Sequence, residues 1–350
     1  MILINSTNLQ IACNQIQLIM NTPWVESPFF KEILATKQLS EKEQKMALDY
    51  NENGFIVIPN LISETVIDEI KFDMDNKGYN PEFQMDNQRD HVRIQDLWMY
   101  SESTKGVACN TEIAAILAML YDREPIPFQT LNFRVGSQQR AHSDTIHFSS
   151  IPAKFMCGVW VALEDITPEN GAVFYYPKSQ NLPEYNFSHF KSTPSDTAYS
   201  DYIEYEDFIE KIVEAYQFEK KPFYAKKGDV LIWSSNIIHG GSKVLNEQAS
   251  RYSMVTHYYF KDCIYYTPML SNMVTNELFL RNNLVDIKTG EKVVQSFNGN
   301  SISSFQTAQD KYILNDRIQL NTKVIPFPEP IPPVRKNKIE RLLHQFGLKK

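Results

Sequence analysis

From Phe128 onward the chain is a series of short runs rich in β-branched and aromatic residues, set apart by turn residues. QTLNFRVG (129–136) alternates apolar and polar positions, and Lys154–Glu164, Ala172–Tyr176, Val230–Trp233 and Arg251–Phe260 are the other runs. No strand–helix–strand alternation organises them. Parallel strands need crossover connections, so a chain without them closes as antiparallel sheets packed face to face. The expected fold is mainly β with flanking helices, built around a double-stranded β-helix, or jelly roll.

Helical signals lie mostly outside this β region. Residues 1–50 read as an N-terminal extension. Within it KQLSEKEQKMALDYN (37–51) is an expected helix, with Ser40 as N-cap and Glu43 three residues on. Gly54–Pro59 reads as a short buried strand, and Ser63 opens a second helix reaching about Asn76, with Glu64 in its first turn. Residues 78–108 read as polar and irregular, and Thr111–Tyr121 as a short apolar helix. The main domain is expected over 51–323. An insertion at 178–226 interrupts it and carries one helix, Glu204–Tyr216; long insertions of this kind serve as lids or binding loops. VIPFPEPIPP (324–333) is an extended Pro-rich linker. In the basic segment that ends at Lys350, Ile339, Leu342, Leu343 and Phe346 share one helical face. That face suits docking on the protein itself or on a dimer mate, or else a membrane surface or partner.

Composition narrows the function classes. The 350 residues carry a net charge of −7, which argues against wholesale phosphate binding and so against nucleic acid as partner. The hydrophobic fraction of 43% is enough for a sizeable core. The four cysteines, Cys13, Cys109, Cys157 and Cys263, are far apart and form no CxxC pair, so a cysteine-built zinc site is not expected. They read as free thiols in a reducing cytoplasm. MILINSTNLQIACNQIQLIM lacks a basic start and is broken by Asn and Gln, unlike a signal peptide. No run of 18 apolar residues exists, so no membrane span is expected. The expected partner is a small-molecule substrate, and the oligomeric state is not readable.

The chemistry is carried by His142-Ser143-Asp144 and a later His239. On a strand, residues two apart share a face, so His142 and Asp144 aim at one point and Ser143 away from it. His239 is expected from a strand across the barrel. Two imidazoles and a carboxylate, with no thiolate, suit Fe(II) held on one face with positions left open. Arg251 follows His239 by twelve residues, and Ser253 shares its strand face. A guanidinium fork with a hydroxyl beside it suits the far carboxylate of a 2-oxo acid. Asn132 and Gln129, on the strand before the metal motif, are candidates for polar contacts to cosubstrate or substrate.

These residues sit in longer stretches: NENGFIVIPNLIS (51–63), AHSDTIHF (141–148), FMCGVWVALEDITPENGAVFYYPKSQ (155–180) and GDVLIWSSNIIHGGSKVLNEQASRYSMVTHYYF (228–260). Together they resemble the phytanoyl-CoA dioxygenase family of Fe(II)/2-oxoglutarate oxygenases, from about Tyr50 to about Phe260. The resemblance implies a cupin-like jelly roll with His142, Asp144 and His239 as catalytic iron ligands. It implies 2-oxoglutarate as cosubstrate and O2 as oxidant, with release of succinate and CO2. Trp160 matches a family position near the cosubstrate, although a Trp in an apolar strand also serves core packing. Asp144 stands where related halogenating enzymes have a small residue, which implies hydroxylation or desaturation. The chain departs from the family at Pro177-Lys178-Ser179-Gln180, where Pro-Gly-Ser-His is usual. The missing His is not a metal ligand in the family pattern, so the change bears on that loop's substrate contacts.

Two further histidines stay open on sequence grounds. His147 touches substrate or closes its strand as a satisfied core residue. His257 shares strand parity with Arg251, Ser253 and Val255, which would turn it into the barrel. The expected function is an Fe(II)- and 2-oxoglutarate-dependent dioxygenase hydroxylating a small molecule: an acyl compound, a sugar or a biosynthetic intermediate. A catalytically inactive cupin-like binding or sensor protein is the alternative. Such a protein would have no physical need to keep both the ligand set and the arginine clamp. The acidic, Tyr-rich stretch 184–207 hints at a polar substrate.

Overall fold

The computed structural model describes residues 21–314, except 86–87, 191–197, 298, 303 and 309–310. Residues 1–20 of the extension and the whole tail expected at 324–350 lie outside the described residues. After a short helix α1 (Phe30–Leu34), the helix read at 37–51 forms as α2 (Glu41–Asn53). Ser40 caps it by a reciprocal pair: its hydroxyl accepts the Glu43 N–H, and the Glu43 carboxylate accepts the Ser40 N–H at 2.8 Å. Gly54, left-handed at φ +82°, ends the helix and turns the chain into β1 (Phe55–Ile58). Then follow α3 (Glu64–Asp73), β2 (Arg93–Gln95), α4 (Glu102–Ala108) and α5 (Thr111–Tyr121), the last capped by the Asn110 side chain.

The stretch 78–108, expected to be irregular, therefore holds a strand and a helix. Both are shorter than the window over which periodicity shows: β2 has three residues, and α4 offers only Thr104, Val107 and Ala108 to the interior.

The β region comprises β3 (Pro125–Phe133), β4 (Ser149–Ile151), β5 (Met156–Ala162), β6 (Val173–Tyr175), β7 (Lys221–Pro222), β8 (Val230–Ser234), β9 (His239–Gly241), β10 (Ser253–Phe260) and β11 (Ile264–Tyr266). The insertion helix α6 runs Ala198–Tyr216, starting earlier than the expected Glu204. The larger sheet has the order β1-β8-β5-β10-β3-β2, antiparallel throughout. A smaller sheet, β7-β6-β9, faces it.

Strand parity sorts the larger sheet's residues into two environments. Ile56, Ile232, Val159, Met254 and Ile94 pack on one face against Tyr50, Ile67, Ile70, Leu117 and Leu120 of the helices. The described part of the N-terminal extension is built into this cluster through Trp24, Phe30 and Ile33. A buried hydroxyl pair, Tyr50–Tyr121 at 2.6 Å, ties α2 to α5. On the other face Trp160, Leu231, Trp233, Phe133 and Val255 meet Ala172, Val173 and Phe223 from the side of the smaller sheet. Two antiparallel sheets closed over one apolar interior, with helices on the outer face, make a jelly roll. The space left between the sheets is the site.

Candidate metal centre

His142 and His239 are neighbours rather than residues facing each other across the barrel. They form an antiparallel bridge in which each N–H donates to the other's carbonyl at 2.9 Å. The chain then leaves extended geometry: Asp144 opens a 3-10 turn, Asp144–Ile146, instead of continuing a strand. Ser143 still turns away, as read. Its hydroxyl donates to the Ser235 carbonyl at 3.0 Å, and its N–H donates to Tyr205 Oη of α6 at 3.3 Å. The common aim of His142 and Asp144 is thus set by a bridge followed by a turn.

Asp144 Oδ1 lies 3.8 Å from His142 Nε2 and 3.6 Å from His239 Nε2. One ligand atom from each of the three falls within 4.8 Å of the others, and all three residues are buried. The remaining valences are tied off. His142 Nδ1 meets the Arg140 carbonyl at 2.9 Å and His239 Nδ1 the Ile237 carbonyl at 3.0 Å, so these nitrogens carry the protons and both Nε2 lone pairs point inward. Trp233 Nε1 donates to Asp144 Oδ2 at 2.8 Å, which leaves Oδ1 for the centre. Burial lowers the pKa of both imidazoles to about 4, and they are neutral ligands at pH 7. Two imidazole nitrogens and a carboxylate oxygen converging on one point fit a divalent metal.

The centre opens on a cavity of ≈ 230 Å³ between the sheets. Arg251 enters it, 2% exposed. Nη1 donates to Ser253 Oγ at 2.8 Å, Nη2 has only a long contact with the Val135 carbonyl, 3.4 Å, and Nε has no partner. Burial pulls its pKa down to about 10, so it stays charged. A buried guanidinium with no carboxylate against it is costly and calls for an anion. Trp160 also lines the cavity, and its buried Nε1–H has no acceptor. These two orphaned donors fit the distal carboxylate of 2-oxoglutarate.

Gln129 lines the cavity too, its Oε1 accepting from His257 Nδ1 at 3.1 Å. His257 faces inward, as its parity implied, with Nε2 4.0 Å from Asp144 Oδ2. Asn132 is a correction. It pairs with Met254, a residue of the helix-side cluster, and so lies on the far face of β3. Residues 129 and 132 are three apart and cannot share a strand face. His147 is not the satisfied core residue of the simpler reading: its ring lines the cavity and makes no hydrogen bond to the described residues. Gln180, at the family's usual His position, is buried and donates to the carbonyls of Asn51 and Glu52 in the last turn of α2. It closes a helix rather than facing the cavity.

Several contributors escaped the sequence reading. Trp233 gave no signal beyond an apolar strand. Arg93 and Gln95 of β2, Gln139 and Phe148 also line the cavity. The alternation of Arg93-Ile94-Gln95 is visible in the sequence, but three residues are too few to identify a strand.

The sequence model described as phytanoyl-CoA dioxygenase (PhyH) matches residues 50–253. The peroxisomal phytanoyl-CoA dioxygenase of Rattus norvegicus is 24% identical over 268 residues, 67% of this chain and 73% of that protein. Among solved structures, the non-heme alpha ketoglutarate dependent epimerase SnoN from nogalamycin biosynthesis is similar with a TM-score of 0.52 at 16% identity, over 78% of this chain and 98% of that one. That likeness is one of fold. With more than half its length inside one family's pattern, and a cavity furnished for iron and a dicarboxylate, the chain belongs to the phytanoyl-CoA dioxygenase family of Fe(II)- and 2-oxoglutarate-dependent dioxygenases.

Proposed function

We propose that His142, Asp144 and His239 are the iron ligands, that Arg251, Ser253 and Trp160 receive the distal carboxylate of 2-oxoglutarate, and that the enzyme hydroxylates a C–H bond of a small polar molecule. The observation that carries this reading is a single cavity holding both the converging His-Asp-His donor set and a buried arginine with no carboxylate partner. When bound, iron with 2-oxoglutarate and O2 supplies the oxidation, at the cost of one 2-oxoglutarate converted to succinate and CO2.

The protein's own part is orientation and exclusion of water. The two imidazoles are fixed by their backbone acceptors and Asp144 by Trp233. Leu131, Phe133, Val173 and Val255 form apolar walls. Gln95, Gln129, Gln139 and His147 supply neutral hydrogen-bonding groups for a substrate. The insertion contributes through α6, where Asp207 and Glu210 pair with Arg140 at 2.6 Å, two residues before His142.

No helix among the described residues is long and apolar enough to cross a membrane. Cys109, Cys157 and Cys263 are free thiols, which supports a reducing compartment such as the cytoplasm.

Anaerobic addition of Fe(II) and 2-oxoglutarate to the purified chain tests the assignment. A visible charge-transfer band that is absent in His142→Ala and weakened in Arg251→Ala is the expected result, together with O2 uptake that needs added 2-oxoglutarate. Full activity in His142→Ala would overturn it.

A further inference from the structure

We propose that the substrate carries an anionic group, a carboxylate or a phosphate, and that Arg93 at the cavity mouth receives it. The inference rests on the reading of Arg251 as the cosubstrate anchor.

The strand β2 lies at the edge of the larger sheet, paired with β3 as Arg93↔Phe133, Ile94↔Asn132 and Gln95↔Leu131. Ile94 is fully buried in the helix-side cluster. Alternation therefore sends Arg93 and Gln95 to the cavity, beside Phe133 and Leu131. The position is fixed by the pleat rather than by a freely moving loop.

Charge decides what this placement is for. Among the described residues lining the cavity, Asp144 is the one carboxylate, and Arg93 and Arg251 are the two permanent cations. A divalent iron and Arg251 together balance Asp144 and the two carboxylates of 2-oxoglutarate. Arg93 is left over. Its one ion pair among the described residues is with Asp90, a loose 3.9 Å contact between half-exposed side chains. Such surface pairs contribute little. Asp90 Oδ1 is already engaged by the backbone N–H groups of Val92 and Arg93.

Side chains able to form hydrogen bonds line the cavity with Arg93. Gln139 holds Tyr202 Oη of α6 at 3.0 Å, and the ring of Tyr202 lies 5.0 Å from that of His147. The charge of Arg93 reaches both His147 and Tyr202. A third guanidinium, Arg281, lies 4.9 Å from the ring of Phe148, which also lines the cavity, and adds to the positive potential. An anionic group held at Arg93 leaves the rest of a small molecule directed inward, toward His142 and His239.

The test uses the full chain loaded with Zn(II) and N-oxalylglycine, an unreactive stand-in for 2-oxoglutarate, with binding followed calorimetrically. The probes are matched pairs: N-acetylglycine and N-acetylglycinamide, benzoate and benzamide, glycerol 3-phosphate and glycerol. At least one anion is expected to bind tenfold or more tightly than its neutral partner. The preference should fall roughly ten- to hundred-fold in Arg93→Gln, recover in part in Arg93→Lys, and leave N-oxalylglycine affinity unchanged. The better of the carboxylate and phosphate arms names the group. Equal binding of neutral partners, no binding by any anion, or a preference that survives Arg93→Gln would overturn the inference. Failure of N-oxalylglycine itself to bind, or to depend on Arg251, would instead remove the functional reading beneath it.

Discussion

Arg251 is where function and stability are set against each other. A guanidinium buried without an opposing carboxylate costs the metal-free fold several kcal/mol of desolvation that only a bound anion offsets. Arg251→Met keeps most of the volume and removes the charge. In urea the metal-free variant should be at least as stable as the parent, while 2-oxoglutarate affinity falls by about 2–5 kcal/mol. A variant that unfolds earlier and still binds 2-oxoglutarate would show that the arginine serves the fold. The arginine and the His-x-Asp motif were legible in the sequence because permanent charge and metal-ligand chemistry belong to residue types. Trp233 was not legible. Its role depends on one hydrogen bond to Asp144 across 89 positions of sequence.

At the scale of elements, β5 and β8 hold the carboxylate in place. Gly158 pairs with Trp233, and a Cβ at Gly158 would overlap the indole that donates to Asp144. Gly158→Ala should cost about 1–3 kcal/mol in an unfolding titration through overpacking. By displacing the indole it should also weaken iron binding. Trp233→Phe separates the two effects: it leaves room at Gly158 but removes the donor, with an expected ten- to hundred-fold loss in iron affinity measured by chelator competition. If Trp233→Phe binds iron like the parent, Asp144 needs no such partner. The insertion acts on the same motif from the opposite side, since Tyr205 of α6 accepts the Ser143 N–H and Arg140 pairs with α6. The existence of α6 was readable from its pattern, but its contact with the metal loop was not, because that contact joins residues about sixty positions apart.

For the whole molecule, the interior sets the response to pH. His142, His239 and His257 have pKa values lowered to about 4 and His147 to about 3, in each case chiefly by burial. Above pH 6.5 folded and unfolded chains both carry these groups neutral, and they contribute no pH dependence. As pH falls below 6.5 the unfolded chain takes up protons that the fold excludes, and each unit of depression is worth about 1.4 kcal/mol. Stability of the metal-free protein should therefore drop between pH 6.5 and about 3, then level off with respect to these groups. Glu184 works the other way. Burial raises its pKa to about 7, so over the same range the fold holds a proton that the unfolded chain gives up. The large depressions of the four histidines outweigh Glu184 and the smaller upward shifts of Asp96, Glu206 and Asp286, so the net direction is destabilising on acidification. Urea midpoints at pH 7 and pH 5 would check it, and a higher midpoint at pH 5 would contradict the burial of these histidines.

The sequence by itself determined the class of fold and supplied the residue types from which a metal site and an anion clamp can be built. Alternating apolar runs can be satisfied only by half-buried antiparallel strands, and the side chains able to hold iron are few. Tertiary structure decided how those residues meet. It set His142 beside His239 through a backbone bridge, turned Asp144 toward them with a 3-10 turn, and sent Asn132 to the helix face while Gln129 kept the cavity. Each of these outcomes depends on strand register, and pairing over a hundred residues is fixed by packing of the whole interior rather than by any local stretch of chain.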